Sequence, residues 1–296
     1  MAEGGRAGAA GPPVALDDLQ TLVDDAGLDT RITRLAWSAR YHLQLRLAAR
    51  FRQGRLFLAG DAAHAFSPAT GQGMNTGVQD ALNLGWKLAL ASTATERDAL
   101  LDSYERERRP VGRRALVITH LAFWVEASAA LLPSWLRGVV APLGAPLVPH
   151  LTGHRRLVGE TLQCVSQLRA PYHHTPVSRE DRPRLEGGPS SGQRLPDATV
   201  MTNGDRLRLH ALIARPGVHV LLHRDADPLD RQDFGRHVTF HRLTSSPGPG
   251  VVVVRPDGYV GYRCGVADAG QLRSWLSTIG AGAPQPPMPS NQCQIS

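Results

Sequence analysis

The sequence predicts an α/β protein made of two successive units. Three stretches carry that prediction. Leu56–Ala59 is a short apolar run of the kind a buried strand shows, and it delivers the chain into a polar, glycine-bearing loop, 60–73. From Met74 onward, Met74, Val78, Ala81, Leu82, Leu84, Gly85, Trp86 and Leu88 recur at helical spacing. Near the C-terminus Val251–Val254, a Pro256-Asp257-Gly258 turn, Tyr259–Arg263 and an amphipathic Ala269–Ile279 give strand, turn, strand and helix.

The first of these stretches organises the rest. A helix start leaves its first backbone N–H groups unpaired and carries a partial positive charge. Gly71 and Gly73 allow unusual backbone angles and a close approach to the main chain. An anionic or electron-rich group can rest on the N–H groups of Gly73, Met74 and Asn75. Asp61, just past the strand end, is placed to accept hydrogen bonds from sugar-type hydroxyls. His64 either bonds locally or takes part in the chemistry.

Gly60-Asp61-Ala62-Ala63-His64, then Pro68, then Gly71-Gln72-Gly73-Met74-Asn75, then Asp80-Ala81-x-Asn83-Leu84-x-Trp86-Lys87-Leu88-Ala89 resembles the second flavin-binding motif of the FAD-dependent aromatic hydroxylases. These are the flavoprotein monooxygenases similar to para-hydroxybenzoate hydroxylase and phenol hydroxylase. Thr70-Gly71 stands where that family usually has two glycines. The resemblance implies FAD as cofactor and NAD(P)H as co-substrate. It implies that Asp61 contacts the ribityl or ribose region and that Pro68 lies beside the isoalloxazine ring. Gly71 and Gln72 would shape the loop, and the helix start at Gly73, Met74 and Asn75 would face the N1/O2 edge of the flavin. There it would stabilise negative charge in the reduced cofactor. The implied activity is flavin reduction by NAD(P)H followed by oxygen transfer from O2 to an aromatic or polyketide-like small molecule. No catalytic side chain and no metal is expected.

Composition agrees with a globular protein. The chain has 296 residues, 42% of them apolar, and a net charge of +7 that comes almost wholly from scattered arginines. No basic stripe alternates with aromatics, so nucleic acid is not an expected partner. Cys164, Cys264 and Cys293 lie far apart with no metal spacing, which fits a reduced, cytoplasmic setting. The start of the chain lacks the pattern of a signal peptide. Ala115–Leu132 approaches membrane-spanning length, but His120 and Glu126 interrupt it, so it reads as a core helix.

In order, residues 1–13 form a Gly/Ala-rich, disordered leader. Residues 14–150 read as the C-terminal part of the FAD-binding and substrate domain. Within them Val14–Ala26 is an amphipathic helix stopped by Gly27, and Thr30–Leu47 holds one or two strands, with Trp37 and Tyr41 facing either core or substrate. Arg97–Arg109 is a helix with Leu100, Leu101 and Tyr104 inward and its charged residues on a solvated or salt-bridged face, and a new helix starts at Pro110. Residues 151–198 form a connector whose first part, Leu151–Leu168, can be helical. Residues 199–282 resemble the thioredoxin-like domain of phenol hydroxylase-type members. His223–Asp227 stands where redox cysteines would be, so this domain is expected to be redox-silent and to serve packing or dimer contacts. Residues 283–296 are a tail.

The family's opening G-x-G-x-x-G and its middle Asp-Gly motif have no counterpart here. Three arrangements are compatible with that: a truncated product, one half of a split enzyme completed by a second chain, or a non-catalytic remnant that acts in dimerisation. Without the family's first parallel strands, the strand at Leu56–Ala59 is expected to have an exposed edge.

Overall fold

The fold is that of a computed structural model, which describes residues 14–38, 44–66, 71–127, 170–173, 175–230 and 234–282, with Trp135 and Gly138. Pro68, Thr70, Tyr41, Leu151–Leu168, Cys164, Cys293, the leader and the tail lie outside these residues. The chain divides into two compact units, Met1–Gln44 and Leu45–Ser296.

The described part of the smaller unit is built on α1 (Leu16–Asp25), whose first turn carries Asp17 and Asp18 at the positive end of the helix. Gly27, at φ 69°, ends it. Of the one or two strands expected over Thr30–Leu47, the one seen among the described residues is the short Arg46–Leu47 pair member at the end of the range, and none lies in 28–38. The Gln20 side chain instead captures this segment, donating to Thr30 O at 3.0 Å and accepting from Ile32 N at 2.7 Å. Without a partner strand among the described residues, β-prone side chains do not make a strand.

The larger unit begins with short antiparallel pairs. β1 (Arg46–Leu47) pairs with β4 (His64–Ala65), and β2 (Arg52–Gln53) pairs with β3 (Leu56–Phe57) around Gly54 at φ 60°. The expected buried strand at Leu56–Ala59 is thus shorter and more open: Leu56 is 74% exposed and Leu58 39%. Phe57 and Ala59 pack beside Phe51, Ala63, Leu84 and Tyr104, while the alternate residues of the run face out.

A 3-10 turn, Gly60–Ala62, leads on to α2 (Gly73–Leu90) and then to α3 (Arg97–Ala127). Pro110 does not start a new helix; α3 runs through it. Proline removes one helical hydrogen bond, here the one to the carbonyl of Arg106. Arg106 and Pro110 both lie on the exposed side, so water can satisfy that carbonyl. Of the core helix expected over Ala115–Leu132, residues 128–132 lie outside the described residues, and over 115–124 the helix is only partly buried. Ala115 and Thr119 are buried, but Val117, Ile118, Leu121 and Trp124 are exposed. Among the described residues no helix is long and apolar enough to cross a membrane.

The rest is a five-stranded sheet in the order β5-β11-β10-β8-β9: Arg179–Glu180, Val260–Cys264, Val251–Val254, Val218–His223 and Val238–Leu243. β8 and β9 are parallel, as are β5 and β11, while β10 is antiparallel to both neighbours. Both faces of the sheet are covered, which is why β10 reads as an unbroken apolar run. Val251 and Val253 face α5 (Ala269–Thr278), where Leu272, Trp275 and Leu276 meet Trp86, Leu90 and Leu100 of α2 and α3. Val252 and Val254 face Val200 and Leu209, from the hairpin β6–β7 (Thr199–Thr202 and Asp205–Arg208) and the short α4 (Leu209–Leu212) that follows it.

Packing here is tight at Gly261. A Cβ there would stand 2.5 Å from Trp275 Cζ2 and 2.7 Å from Arg255 Cγ. Gly261→Ala is therefore expected to destabilise by about 1–3 kcal/mol, measured by urea unfolding, with overpacking as the cause.

Candidate functional site

α2 is turned in a way its apolar pattern does not predict. Met74, Val78, Leu82 and Leu88, all in the apolar repeat, are exposed, and the inward face carries Thr76, Asp80, Asn83 and Lys87 with Leu84. The polar groups can be buried because each is paired, as burial without a partner would cost several kcal/mol per charge.

Two connected clusters do the pairing. Asp80 Oδ2 accepts from Gly60 N at 3.1 Å and bonds His64 Nε2 at 2.6 Å; its Oδ1 accepts from Arg108 Nε at 2.6 Å. Arg108 also donates to Tyr172 Oη at 2.8 Å and to the carbonyl of Thr76 at 3.2 Å. His64 thus has a local bonding role. It also stacks on Phe66 at 4.6 Å.

The second cluster centres on Glu107. Its carboxylate accepts from both terminal nitrogens of Arg255 at 2.7 and 3.0 Å, from Lys87 Nζ at 2.7 Å, from Asn83 Nδ2 at 2.7 Å and from Thr175 Oγ1 at 3.1 Å. Asp257 closes the other side of Arg255 at 2.5 and 3.0 Å. The Arg255 guanidinium also lies over the rings of Trp86, Tyr172 and Tyr259. Of the two readings of the charged face, solvated or salt-bridged, Glu107 and Arg108 take the second, with their ion pairs buried in the interior.

Burial alone would raise the pKa of Glu107, but Arg255 and Lys87 outweigh it and bring the carboxyl down to about 2. Burial lowers Lys87 to about 8 against the pull of Glu107. Burial also opposes ionisation of Asp80, yet His64 and Arg108 hold it below the ordinary carboxylate range.

The predicted site residues sit on the outer side of this frame. Gly60, at φ 58°, turns the chain beside Gly77 of α2, where a Cβ on Gly77 would stand 3.3 Å from Gly60 Cα. Asp61 follows it and is exposed, with no hydrogen bond or ion pair among the described residues. Gly71, at φ 62°, leads into Gln72, which is buried and gives its carbonyl to Thr76 N at 3.0 Å and to Thr76 Oγ1 at 2.8 Å. The N–H groups of Gly73, Met74 and Asn75 precede the first helical bond and meet no acceptor among the described residues. A Cβ on Gly73 would touch nothing within 4 Å, and Met74 is 77% exposed. Pro68 lies outside the described residues.

Among the described residues, the main-chain donors at the start of α2 and the exposed Asp61 carboxylate are thus both open to a ligand. A cavity of about 710 Å³ lies elsewhere, between Arg52, Phe57, Leu88, Arg97 and Leu101, and none of the predicted site residues lines it. No group of three or more potential metal ligands occurs among the described residues.

Comparison with known proteins gives the family. Residues 9–119 match an FAD binding domain and residues 188–284 match the aromatic-ring hydroxylase C-terminal family. The chain belongs to the FAD-dependent aromatic hydroxylases. It is 32% identical over 258 residues to the uncharacterized aromatic compound monooxygenase YhjG of Bacillus subtilis, covering 84% of this chain and 48% of the relative. It is 33% identical over 226 residues to pentachlorophenol 4-monooxygenase of Sphingobium chlorophenolicum, covering 75% of this chain and 38% of the relative. The anhydrotetracycline hydroxylase OxyS of Streptomyces rimosus superposes with a TM-score of 0.66 at 28% identity, over 92% of this chain and 54% of that structure. The chain spans about half the length, or less, of the curated relatives it matches.

Sequence reasoning missed Asp80, Asn83, Lys87, Glu107, Arg108, Arg255 and Asp257 as a buried frame. A signal was present. Thr76, Asp80, Asn83 and Lys87 recur at helical spacing, and Lys87 is the single lysine in the chain.

Proposed function

We propose that this chain carries the flavin-edge loop and helix of an FAD-dependent, NAD(P)H-using monooxygenase that hydroxylates an aromatic or polyketide-like small molecule. The observation behind this reading is the open first turn of α2 beside Asp61. Relatives that act on pentachlorophenol and anhydrotetracycline support the substrate class. Bound FAD would supply the redox chemistry and the oxygen transfer from O2.

The chain's own groups would hold and polarise. N–H donors at Gly73, Met74 and Asn75 would face the N1/O2 edge, where the helix dipole favours the charge that reduction brings. Asp61 would accept from ribityl or ribose hydroxyls. Gly71 and Gln72 would set the course of the loop, and Pro68 would lie beside the ring.

In this reading 14–150 belong to the flavin and substrate domain, 151–198 connect, and 199–282 form a thioredoxin-like domain. The order β9-β8-β10-β11, with one parallel pair followed by two antiparallel ones and a closing helix, supports the last assignment. Having no cysteine at His223–Asp227, that domain would serve packing or dimer contacts. We assign the protein to the cytoplasm, working as a homodimer or with a second chain.

The test is an FAD titration of the full chain, followed in the visible spectrum. The wild type is expected to shift and sharpen the flavin bands. Asp61→Ala is expected to weaken binding about tenfold to a hundredfold, since a hydrogen bond to a charged group contributes about 1.5–3 kcal/mol. Its melting temperature should not change, because Asp61 is exposed and bonds nothing among the described residues. A protein that leaves the FAD spectrum unaltered at every concentration would overturn the proposal and favour a non-catalytic dimerisation role.

A further inference from the structure

We infer that Asp80 and Arg108 are positioning residues. They set the spacing between the Gly60–Asp61 turn and the first turn of α2, and Tyr172, stacked on Tyr259, holds them from the C-terminal module. This inference rests on the proposed flavin site and assigns that site its internal support.

The geometry is specific. The two surfaces that would meet the flavin, the Asp61 turn and the start of α2, are joined through one carboxylate and one guanidinium. Asp80 Oδ2 takes the Gly60 N–H directly before Asp61, and Arg108 takes the Thr76 carbonyl at the end of the first turn. The two residues bond each other at 2.6 Å and are wholly buried. Thr76 in turn gives its hydroxyl to the Gln72 carbonyl, so the loop residue before the open N–H groups is tied to the same frame. The glycine pair Gly60 and Gly77 lets the turn and the helix approach closely enough for these bonds to form.

The clamp reaches the C-terminal module through one phenol. Tyr172 Oη accepts from Arg108, and the Tyr172 ring stacks on Tyr259 with centroids 4.1 Å apart. Tyr259 precedes β11 and lies under Arg255. The module matched to the aromatic-ring hydroxylase C-terminal family therefore acts on the cofactor site at a distance, by fixing the Arg108 fork. It needs no redox group of its own for that. A fork of this kind uses directions that a lysine cannot supply.

The experiment titrates riboflavin, which carries the ring and the ribityl hydroxyls alone, into the full chain and its variants by fluorescence quenching. Each variant is checked for a cooperative melt. Tyr172→Phe keeps the ring stack and removes only the hydroxyl under Arg108; it is expected to stay folded and to bind about threefold to tenfold more weakly. Arg108→Lys is expected to lose tenfold or more, and if it does not fold, Tyr172→Phe decides. Leu272→Ala, in the core under α5, is the control: it is expected to lower the melting temperature and leave the riboflavin affinity of the folded protein unchanged. Weakening confined to the clamp variants supports the inference. Equal affinity in clamp variants and wild type overturns it and leaves the flavin site standing. Equal weakening in the control shows a merely structural role and overturns it too. A wild type that binds no riboflavin removes the flavin site and the clamp's purpose together.

Discussion

Glu107→Ala is expected to destabilise the protein by about 3–5 kcal/mol, the range found when one partner of a buried ion pair is removed. Five donors converge on this carboxylate, and Arg255 and Lys87 would be left facing each other without it. Neither cation can reach water, since both side chains are fully interior. The cost falls on both ends of the larger unit, because Glu107 lies on α3, Lys87 on α2 and Arg255 just beyond β10. The loss should appear as a large drop in the midpoint of urea unfolding. Glu107→Gln should keep some of the hydrogen bonds and fall between the two. The network is not thereby a net stabiliser: an apolar packing of the same volume can be as stable. Its use is directional, since it fixes which face of α2 turns inward.

Acid should undo the same contact. The Glu107 carboxyl is brought down to about 2 from an ordinary 4.5. A depressed carboxylate contributes stability that is complete above its unfolded value and is lost as pH falls through its folded value. For Glu107 that window runs from about 4.5 to about 2, and the shift corresponds to roughly 3 kcal/mol. Asp80, also held below its ordinary value, loses its contribution on the same side. Lys87 behaves differently. Its folded value, lowered to about 8 from 10.5, means that burying the charged amine costs stability below pH 8. That cost is relieved as pH rises from 8 toward 10.5. Urea unfolding over a pH series should therefore show a steep loss below about 4.5. In Glu107→Gln the acid slope should be shallower, and the gap between variant and wild type should close as pH falls.

The parts of this fold that could be read from the sequence were those decided by apolar periodicity over a closed core. β10, β11 and α5 lie within a residue or so of their expected bounds, because each buries its pattern against the others. α1 and the extent of α2 were legible from spacing and a glycine stop. The orientation of α2 was not. An apolar stripe argues for an inward face only when the opposite face would be costly to bury, and here paired charges remove that cost. The pairs come from residues as far apart in sequence as Glu107 and Arg255, which local spacing cannot foresee. The β6–β7 hairpin carried the Asn203-Gly204 signal of a tight turn, and both residues have positive φ, yet its strands are too polar to stand out. Pro110 shows the opposite error: a strong local breaker is overridden because Tyr104, Glu107, Arg108, Val111 and Ala115 all face one interior. For the site, the glycine-bearing loop announced itself by its string of residue types. The frame behind it is polar and interior, and became visible only in three dimensions.

The most direct test of the central claim follows the backbone amides of Gly71, Gly73, Met74 and Asn75 by NMR while riboflavin is added to the full chain. The account predicts that these amides shift saturably, with those of β10 unmoved. Amides at the start of α2 that stay in place while riboflavin saturates the protein elsewhere, or that never respond, would contradict it.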